Sequence, residues 1–409
     1  MNDEQKAALL SVSWQGYKRE DNRKGIRNKL LVIYTVECAS YVAKQIAAGS
    51  QYPDTDVIGF SGCTDNDYAI RMLVAMVRHP NVGAVLAVGL GCEYVQPSRL
   101  AKAAEEAGKP SAWMMIQEEG GTSASIRKGI RETGRLGEAL KQTPRCPMGF
   151  ADLIVGAECG GSDFTSGLAG NPLVGSFFDR LVDLGGTAIF EEIVEAVGLR
   201  DLLISRAADS EAVKQLGETY DKAMDYCRQV RQYSISPGNF VGGLSSIEEK
   251  SMGAVIKSGS RPIQGVIRVS EQPLKPGLWL LDSTPDPHWM QFGITNPNDN
   301  EGLMDLICSG AQLLFLVTGR GNVVGSAVSP VIKITGNHET YERMKEDMDI
   351  DASEVLFAAG RMEPLTDRLC RYIADICGGS LTCAEKLGHR EYFIPYKYQN
   401  HTGRKCEEQ

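Results

Sequence analysis

Several common signatures are missing from this sequence of 409 residues. No apolar run reaches the roughly 18 residues that a membrane span requires, and residues 1–6 lack the basic-then-apolar pattern of a signal peptide. From these two absences we expect a cytoplasmic protein with no membrane partner. Neither a G-x-G-x-x-G fingerprint nor a P-loop sequence is present, so the sequence does not favour a nucleotide-binding enzyme.

The sequence also contains few histidines and carries no net positive charge. With five histidines, a zinc site built mainly from imidazoles would have to use a large share of them. The formal net charge of −9 argues against nucleic acid as a partner, because non-specific binding to phosphates needs a basic surface. Cysteine, in contrast, is abundant. The eleven cysteines are spread over the chain without a C-x-x-C pair, which is the pattern expected for reduced thiols.

Apolar runs that predict buried strands alternate with segments of helical character. The predicted strands lie at residues 30–36, 57–60, 82–90, 113–116, 151–156, 185–190, 278–282, 313–317 and 331–337. Residues 200–233 are predicted to form a long, charged helical stretch with a solvated face. This alternation predicts an α/β fold with a mainly parallel sheet and right-handed crossovers. Because the length exceeds that of a single core, we expect a flexible lead-in at residues 1–15, an N-terminal α/β region at 16–150 and a C-terminal α/β region at 151–409.

Four cysteines directly follow predicted strands: Cys38, Cys63, Cys92 and Cys159. Ligands bind beyond the carboxyl ends of parallel strands, so the four thiols would lie near one rim if their strands shared a sheet. Several thiolates at one rim suggest iron, either as a single ion or as a cluster with one exposed iron. The alternative is that cysteine is simply small and tolerated at tight, glycine-flanked turns.

The segment 158–163, Glu-Cys-Gly-Gly-Ser-Asp, carries the most chemistry on one turn. Its two glycines permit backbone angles that let N–H groups approach an anion. Cys159 and Asp163 are able to hold a metal ion or a proton. The alternative interpretation is a plain glycine turn between a strand and a helix, with a small buried cysteine beside it.

Three further segments carry groups suited to an anionic substrate or to proton transfer. Arg23 and Arg27 lie in a basic stretch at the edge of the predicted sheet, and planar guanidinium groups bind carboxylates well. Arg320 lies in a second glycine turn after a predicted strand. Lys250 is a candidate base, because a partly desolvated lysine titrates closer to neutral pH. A solvated charged loop and an exposed helix lysine are the alternatives.

Together these segments resemble a known family, the large domain of the altronate and galactarate dehydratases. The shared motifs keep the family order from about residue 16 to about residue 350. They lie at residues 16–17, 23–28, 79–86, 89–93, 158–163, 171–172, 236–239, 249–251 and 318–321.

The resemblance implies a metal-dependent lyase that performs β-elimination on a small 2-hydroxy carboxylate, with iron as the cofactor, either as Fe2+ or in an iron–sulfur cluster. It also implies a Rossmann-like, mainly parallel sheet flanked by helices, a dimerisation region that makes a homodimer, and a separate small β-rich subunit. We therefore expect Lys250 and Arg320 to be catalytic. The expected substrate-binding residues are Arg23, Arg27, Asn28, Ser162, Asn239 and Thr318. The expected metal ligands are Cys38, Cys63, Cys92, Glu93, Cys159 and Asp163.

Two departures from the dehydratases bear on the substrate. The dehydratases have a histidine shortly before the Gly-Cys pair that matches Gly62 and Cys63, whereas residues 57–61 contain none, and residues 286–297 differ from the matching loop. Both features resemble the large subunit of sulfolactate sulfo-lyase, a two-subunit relative. Hydroxide needs a general acid to leave and sulfite does not, so the favoured reaction converts sulfolactate to pyruvate and sulfite. The alternatives are a sugar-acid dehydratase that gives a 2-keto-3-deoxy acid and a non-catalytic anion-binding subunit.

Overall fold

The computed structural model describes residues 3–230, 236–288, 298–358, 360–397 and 399. Its strands are β1 Trp14–Lys18, β2 Lys24–Gly25, β3 Lys29–Tyr34, β4 Thr55–Gly59, β5 Val82–Gly89, β6 Ser111–Met115, β7 Arg145–Met148, β8 Ile154–Cys159, β9 Thr187–Phe190, β10 Ile263–Arg268, β11 Gly277–Asp282, β12 Leu313–Thr318, β13 Val331–Thr335 and β14 Ile350–Asp351. Its α-helices are α1 Asp3–Leu10, α2 Ser40–Gly49, α3 Asp67–Arg78, α4 Pro97–Glu106, α5 Thr122–Leu140, α6 Asn171–Asp183, α7 Arg200–Ser205, α8 Ser210–Val230, α9 Pro237–Val241, α10 Ile247–Ile256, α11 Asp299–Cys308, α12 His338–Arg343, α13 Glu354–Phe357, α14 Met362–Cys377 and α15 Cys383–Leu387.

Two of the sheets are parallel throughout. One has the strand order β4-β3-β5-β6, and the other has the order β10-β11-β9-β8-β12-β13-β14. Residues 30–33 and 313–317 are fully buried apolar runs, which is the pattern of parallel strands covered on both faces. The predicted α/β fold with mainly parallel sheets flanked by helices is therefore confirmed. A small antiparallel sheet, β2-β1-β7, pairs residues 14–17 with residues 145–148, and Trp14 is buried in the core.

The seven-stranded sheet separates two buried clusters of apolar side chains. Phe315 and Val317 of β12 pack in the cluster that contains α6 and α14, whereas Leu314 and Leu316 pack in the cluster that contains α3 and α11. This alternation follows from the two-residue period of a strand. The second cluster also includes Leu31 from β3, so it joins the two parallel sheets into a shared core.

The strand order places a topological switch point at β8. The chain passes from β8 to β9 on one side and later places β12 on the other side of β8. In such sheets the crevice beyond the carboxyl ends of the diverging strands is where ligands bind. The segments after β8 and β12 therefore form the expected site.

The strand predicted at residues 151–156 begins later than expected. Phe150–Asp152 form a 3-10 turn, in which the Asp152 side chain accepts a hydrogen bond from the Gly149 N–H group at 3.0 Å. β8 also ends later than predicted, at Cys159. Glu158 and Cys159 therefore belong to the strand and not to the turn that follows it.

Over residues 200–230 the predicted long helical stretch consists of two helices, α7 and α8. Between them the backbone pairs with β10: the Ala208 N–H donates to the Ile263 carbonyl at 2.9 Å, and the Ile263 N–H donates to the Arg206 carbonyl at 2.7 Å. Asp209 then caps α8 by accepting a hydrogen bond from the Ala212 N–H group at 2.9 Å. Among the described residues, no helix combines the length and the apolar character that a membrane crossing would need.

Candidate active site

The switch point brings the two glycine turns into contact. The Gly160 N–H donates to the Val317 carbonyl at 3.0 Å, and the Gly161 carbonyl accepts from the N–H groups of Gly319 and Arg320 at 3.2 and 2.9 Å. Gly161 has a φ of +65°, a left-handed conformation that glycine adopts without strain. The crevice thereby gathers several of the residues that the sequence predicted: Cys159, Ser162, Asp163, Thr318 and Arg320.

Cys159 lies in a buried cluster of charged groups. Its Sγ atom is 3.0 Å from Glu192 Oε1 and 3.4 Å from Lys257 Nζ, and Lys257 also forms an ion pair with Glu192. Glu192 has a φ of +54° and precedes the 3-10 turn Ile193–Glu195, so the chain doubles back after β9 and presents two carboxylates to the thiol. Burial raises the pKa of the Cys159 thiol, although the nearby Lys257 ammonium acts in the opposite direction.

Lys250 pairs with the second of these carboxylates. Its Nζ atom lies 2.6 Å from Glu195 Oε1, and Ser246 places it in the first turn of α10 by accepting a hydrogen bond from the Glu249 N–H at 3.2 Å. Burial alone would lower the pKa of Lys250, but the Glu195 carboxylate outweighs burial, and the pKa is raised. Lys250 is therefore a charged ammonium group in this arrangement, and it becomes a base only after it loses a proton.

The cluster has the donor atoms of a metal site. Cys159 Sγ and one oxygen each from Glu192 and Glu195 all lie within 4.8 Å of one another, and no other group of three such donors does so in the described part of the chain. Glu195 Oε2 is buried and accepts no hydrogen bond from a described residue. A thiolate with two carboxylates suits a divalent transition-metal ion, so these residues fit such an ion.

An acidic cavity adjoins the cluster. Seven carboxyl groups line it, together with Lys397: Glu158, Glu191, Glu192, Glu195, Asp299, Glu301 and Asp305. Burial, reinforced by the neighbouring Glu191, raises the pKa of Glu158 well above its ordinary value. Burial also raises the pKa of Asp305 to about 7. So many carboxyl groups disfavour a bare anion, and an anionic substrate needs an added positive charge to bind here.

A second cavity, of about 230 Å³, reaches the same cluster. Cys159 and Lys250 line it beside Ser162, and apolar side chains such as Phe164 and Met252 form much of the rest. Although the thiol and the ammonium group are largely buried, both border on open space.

Asp163 shapes the turn itself. Its Oδ1 atom accepts hydrogen bonds from the N–H groups of Thr165 and Ser166 at 2.8 and 3.2 Å, and its Oδ2 atom accepts one from Asn337 Nδ2 at 3.1 Å. Thr318 acts similarly in the neighbouring turn, where its Oγ1 atom accepts from the Gly321 N–H at 2.9 Å. Both side chains hold the two glycine turns in place.

Arg320 and Asn239 meet at the exposed rim of the crevice. The Arg320 guanidinium donates to the Gly238 carbonyl at the start of α9, and a Cβ atom on Gly242 would lie 2.9 Å from Arg320 Cδ. Asn239 lies in the same short helix, which Ser236 caps. The loop that carries Asn239 therefore closes over Arg320.

The other three predicted cysteines follow strands of the other parallel sheet. Cys38, Cys63 and Cys92 follow β3, β4 and β5 of the four-stranded sheet, whereas Cys159 ends a strand of the seven-stranded sheet. The condition for one shared rim is therefore not met. All three are exposed, whereas Cys159 is buried.

Glu93 is tied into its own loop. Its Oε1 atom accepts from Thr35 Oγ1 at 2.6 Å and from the Leu90 N–H at 3.0 Å, and its Oε2 atom accepts from the Gly91 N–H at 2.8 Å. Burial would raise the pKa of Glu93, but these hydrogen bonds outweigh burial and lower it. Glu93 thus orders the turn after β5.

The basic motif near the N-terminus makes structural contacts, and none of its predicted residues lines either cavity at the cluster. Arg27 forms a two-pronged ion pair with Glu385 at 2.8 Å for each bond. Asn28 accepts from Arg19 at 3.0 Å, and Arg23 pairs with Asp21. The Arg27 pair fixes the segment before β3 to α15, and the other two contacts order the motif locally.

Sequence reasoning missed most of the charged residues that surround Cys159. Glu192 carried the clearest available signal, because a pair of glutamates follows the predicted strand that ends at residue 190. Lys257 and Lys397 gave no local signal, since each is a lone lysine after a short apolar run and belongs to no recognised motif. Their positions depend on contacts between distant parts of the chain.

Comparison with known proteins agrees with the motifs. The family model described as D-galactarate/Altronate dehydratase, C-terminal, matches residues 150–400, and the model described as D-galactarate dehydratase/Altronate hydrolase, second domain, matches residues 16–141. Together they span both parallel sheets.

Individual relatives cover nearly the whole chain. It is 32% identical to an altronate dehydratase of Escherichia coli strain K12, over 93% of this chain and 77% of the relative. It is 30% identical to the (2R)-sulfolactate sulfo-lyase subunit beta of Chromohalobacter salexigens, over 96% of this chain and 99% of the relative. An altronate dehydratase of Bacillus subtilis strain 168 is 29% identical, over 96% of this chain and 79% of the relative. The chain therefore belongs to the D-galactarate/altronate dehydratase family and is an enzyme of the lyase class.

Proposed function

We propose that this chain is the large subunit of an iron-dependent lyase that performs β-elimination on a small 2-hydroxy carboxylate. The observation that carries the proposal is the cluster of Cys159, Glu192 and Glu195, with Lys250 paired to it, at the switch point of a parallel sheet. Such an elimination removes a proton beside a carboxylate and builds up a second negative charge there. It therefore needs both a proton carrier and a compensating positive charge.

Cys159, Glu192 and Glu195 are the residues that would hold the iron. When bound, Fe2+ would supply the positive charge that an anionic substrate requires in this acidic cavity. A single ion fits these donors better than an iron–sulfur cluster, because carboxylate oxygens suit an ion whereas clusters are held by several thiolates.

Lys250 is the proposed proton carrier. The Glu195 carboxylate is what raises the pKa of Lys250 against the effect of burial. Any loss of negative charge on Glu195 therefore lowers that pKa and frees Lys250 to act as a base. Arg320, exposed at the rim of the crevice, is the proposed donor to the carboxylate of the substrate.

The proposed substrate is sulfolactate, which would yield pyruvate and sulfite, with a separate small β-rich subunit as the partner of a cytoplasmic homodimer. A relative that is 30% identical over 96% of this chain is a sulfo-lyase subunit beta, which supports this choice. The lack of histidine in residues 57–61 also supports it. Residues 289–297 of the other departing segment lie outside the described residues.

Sugar-acid dehydration of the altronate or galactarate type is the second candidate, because two of the relatives are altronate dehydratases and one is a galactarate dehydratase. A non-catalytic anion-binding subunit is the third. Anaerobically purified chain would be combined with its small partner and Fe2+ and assayed for pyruvate and sulfite from sulfolactate, and for keto-acid from altronate and galactarate. Pyruvate with sulfite is the expected result. Keto-acid formation from altronate or galactarate would select the second candidate. A chain that binds no iron and converts none of the three acids would select the third.

A further inference from the structure

The C-terminal tail, residues 389–397 with Gln399, crosses from one parallel sheet to the other. Near its start, Arg390 Nε donates to Asp56 Oδ1 at 3.0 Å, within β4 of the four-stranded sheet. At its end, Gln399 Nε2 donates to the Asp282 carbonyl at 2.7 Å, at the end of β11 in the seven-stranded sheet. Because both ends are anchored, residues 391–397 are held in a defined path.

Lys397 is the residue that this path brings to the acidic cavity. Its Nζ atom lies 2.5 Å from Glu301 Oε1, 3.4 Å from Asp305 Oδ2 and 2.7 Å from the Ser283 carbonyl oxygen. Its side chain is only 4% exposed, yet it lines the cavity. Among the described lining residues it is the one cationic side chain.

The carboxylates that Lys397 contacts belong to α11, whose first turn also lines the cavity through Asp299. Asp299 Oδ2 accepts a hydrogen bond from Asn322 Nδ2 at 2.7 Å, in the segment that follows β12. On the far side, Tyr68 Oη of α3 donates to Asp305 Oδ1 at 3.0 Å, and its ring lies 5.3 Å from Lys397 Nζ. The start of α11 is thus fixed between the glycine turn and the tail.

We propose that Lys397 is a positioning residue of the active site, which holds the first turns of α11, and with them Asp299 and Glu301, at the cavity wall. The inference rests on the proposed function, since it concerns the same cavity. Buried carboxylates that lose their cation either take up a proton or move toward water. A shift of the cavity wall by about 1 Å is enough to lower catalysis roughly 100-fold.

The test compares Lys397→Met with Lys397→Arg and with Lys386→Met, an exposed lysine of α15 that serves as the matched control. We expect Lys397→Met to lower kcat by about 10- to 100-fold while KM and the iron content per chain stay near those of the unaltered enzyme. Lys397→Arg should recover most of kcat, and Lys386→Met should change nothing.

A loss of folding stability is separated from positioning by the double variant Lys397→Met with Glu301→Gln. Removing one buried charge relieves the unpaired carboxylates, so thermal stability should recover while kcat stays low. The kcat of each variant is normalised to its folded fraction, which is measured by circular dichroism. Full kcat in Lys397→Met, or in the double variant, overturns the inference.

The two proposals fail in different ways. An unaltered enzyme that eliminates nothing from any of the three acids defeats the proposed function. An active enzyme whose Lys397→Met variant is equally active defeats only the role of Lys397.

Discussion

The carboxyl edges of the two parallel sheets carry similar sequence patterns in different surroundings. At the four-stranded sheet, Cys38, Cys63 and Cys92 follow strands and remain exposed, and the last two directly follow a glycine. At the seven-stranded sheet, Cys159 follows the same kind of run and is buried beside Lys257 and Glu192. One pattern has therefore produced two kinds of environment.

The difference arises from what packs over each edge. The turn after β9 and the segment around α10 bring Glu192, Glu195, Lys250 and Lys257 to the seven-stranded edge. At the four-stranded edge, Glu93 uses its oxygens on its own loop. A glycine turn with a cysteine thus specifies a shape, and the elements that cover it decide whether the turn becomes a site.

The largest expected effect tests which edge holds the metal. Cys159→Ser should lose most of its iron and its activity, because Cys159 is the thiol that has two carboxylates within reach. The combined variant Cys38→Ser, Cys63→Ser and Cys92→Ser should keep both. Iron per chain after anaerobic purification, with turnover as a second measurement, decides between them. If the triple variant lost its iron and Cys159→Ser kept it, the metal site would lie at the four-stranded edge.

The second prediction compares two lysine–glutamate pairs, one at each edge. Lys250→Met should lower kcat by about 100- to 10,000-fold, which is the usual contribution of proton transfer by a positioned group. Lys128→Met, in α5, breaks the more exposed pair with Glu119 of the turn after β6 and should leave kcat unchanged. Steady-state kinetics measures both. Equal losses of kcat in the two variants would show that Lys250 has no catalytic role that Lys128 lacks.

The third prediction concerns the basic motif that the structure places away from the crevice. Arg27→Met leaves Glu385 buried without its cation, which should cost about 3–5 kcal/mol of the free energy of unfolding. Arg78→Met breaks the exposed pair with Glu106 and should cost about 1 kcal/mol or less. Urea unfolding gives both values. An Arg27→Met enzyme that is as stable as the unaltered enzyme but has a raised KM would instead support the predicted role of Arg27 in substrate binding.

The smallest expected effect lies where the two parallel sheets meet. His79 is fully buried, accepts from the Asn81 N–H at 3.1 Å and contacts the Ala311 carbonyl at 3.1 Å. Burial, followed by the nearby Lys109, holds the pKa of His79 well below its ordinary value. The unfolded chain takes up a proton below about pH 6.5 and the folded chain does not, so stability should fall there by up to about 1.4 kcal/mol per pH unit.

The variant His79→Gln should remove that part of the pH dependence. His338→Gln should remove a contribution of the opposite sign, because the hydrogen bond to Asp351 raises the pKa of His338 in the folded chain. Urea unfolding between pH 5 and pH 8 compares the slopes, on the scale set by the ordinary histidine pKa near 6.5. Identical slopes in the His79→Gln variant and the unaltered chain would show that His79 does not stay neutral on folding.

The parallel sheets could be predicted because continuous apolar runs such as residues 313–317 are signals contained in a few neighbouring residues. The capped start of β8 and the break between α7 and α8 could not, since each depends on a local hydrogen bond or on pairing with β10. At the site, Cys159, Lys250 and Arg320 were found from their glycine turns and motifs. Glu195 and Lys397 were not, because neither lies in a motif.

By itself, the sequence determined the α/β alternation, the glycine turns after β8 and β12, and the family, because strand burial and turn geometry are encoded in short stretches. Only the tertiary structure decided that Cys159 and the other three cysteines belong to two different sheets, that Arg27 pairs with Glu385, and that Lys397 enters the acidic cavity. The physical reason is that charge compensation in a buried site depends on which distant segments pack together. No local pattern of residues records that arrangement.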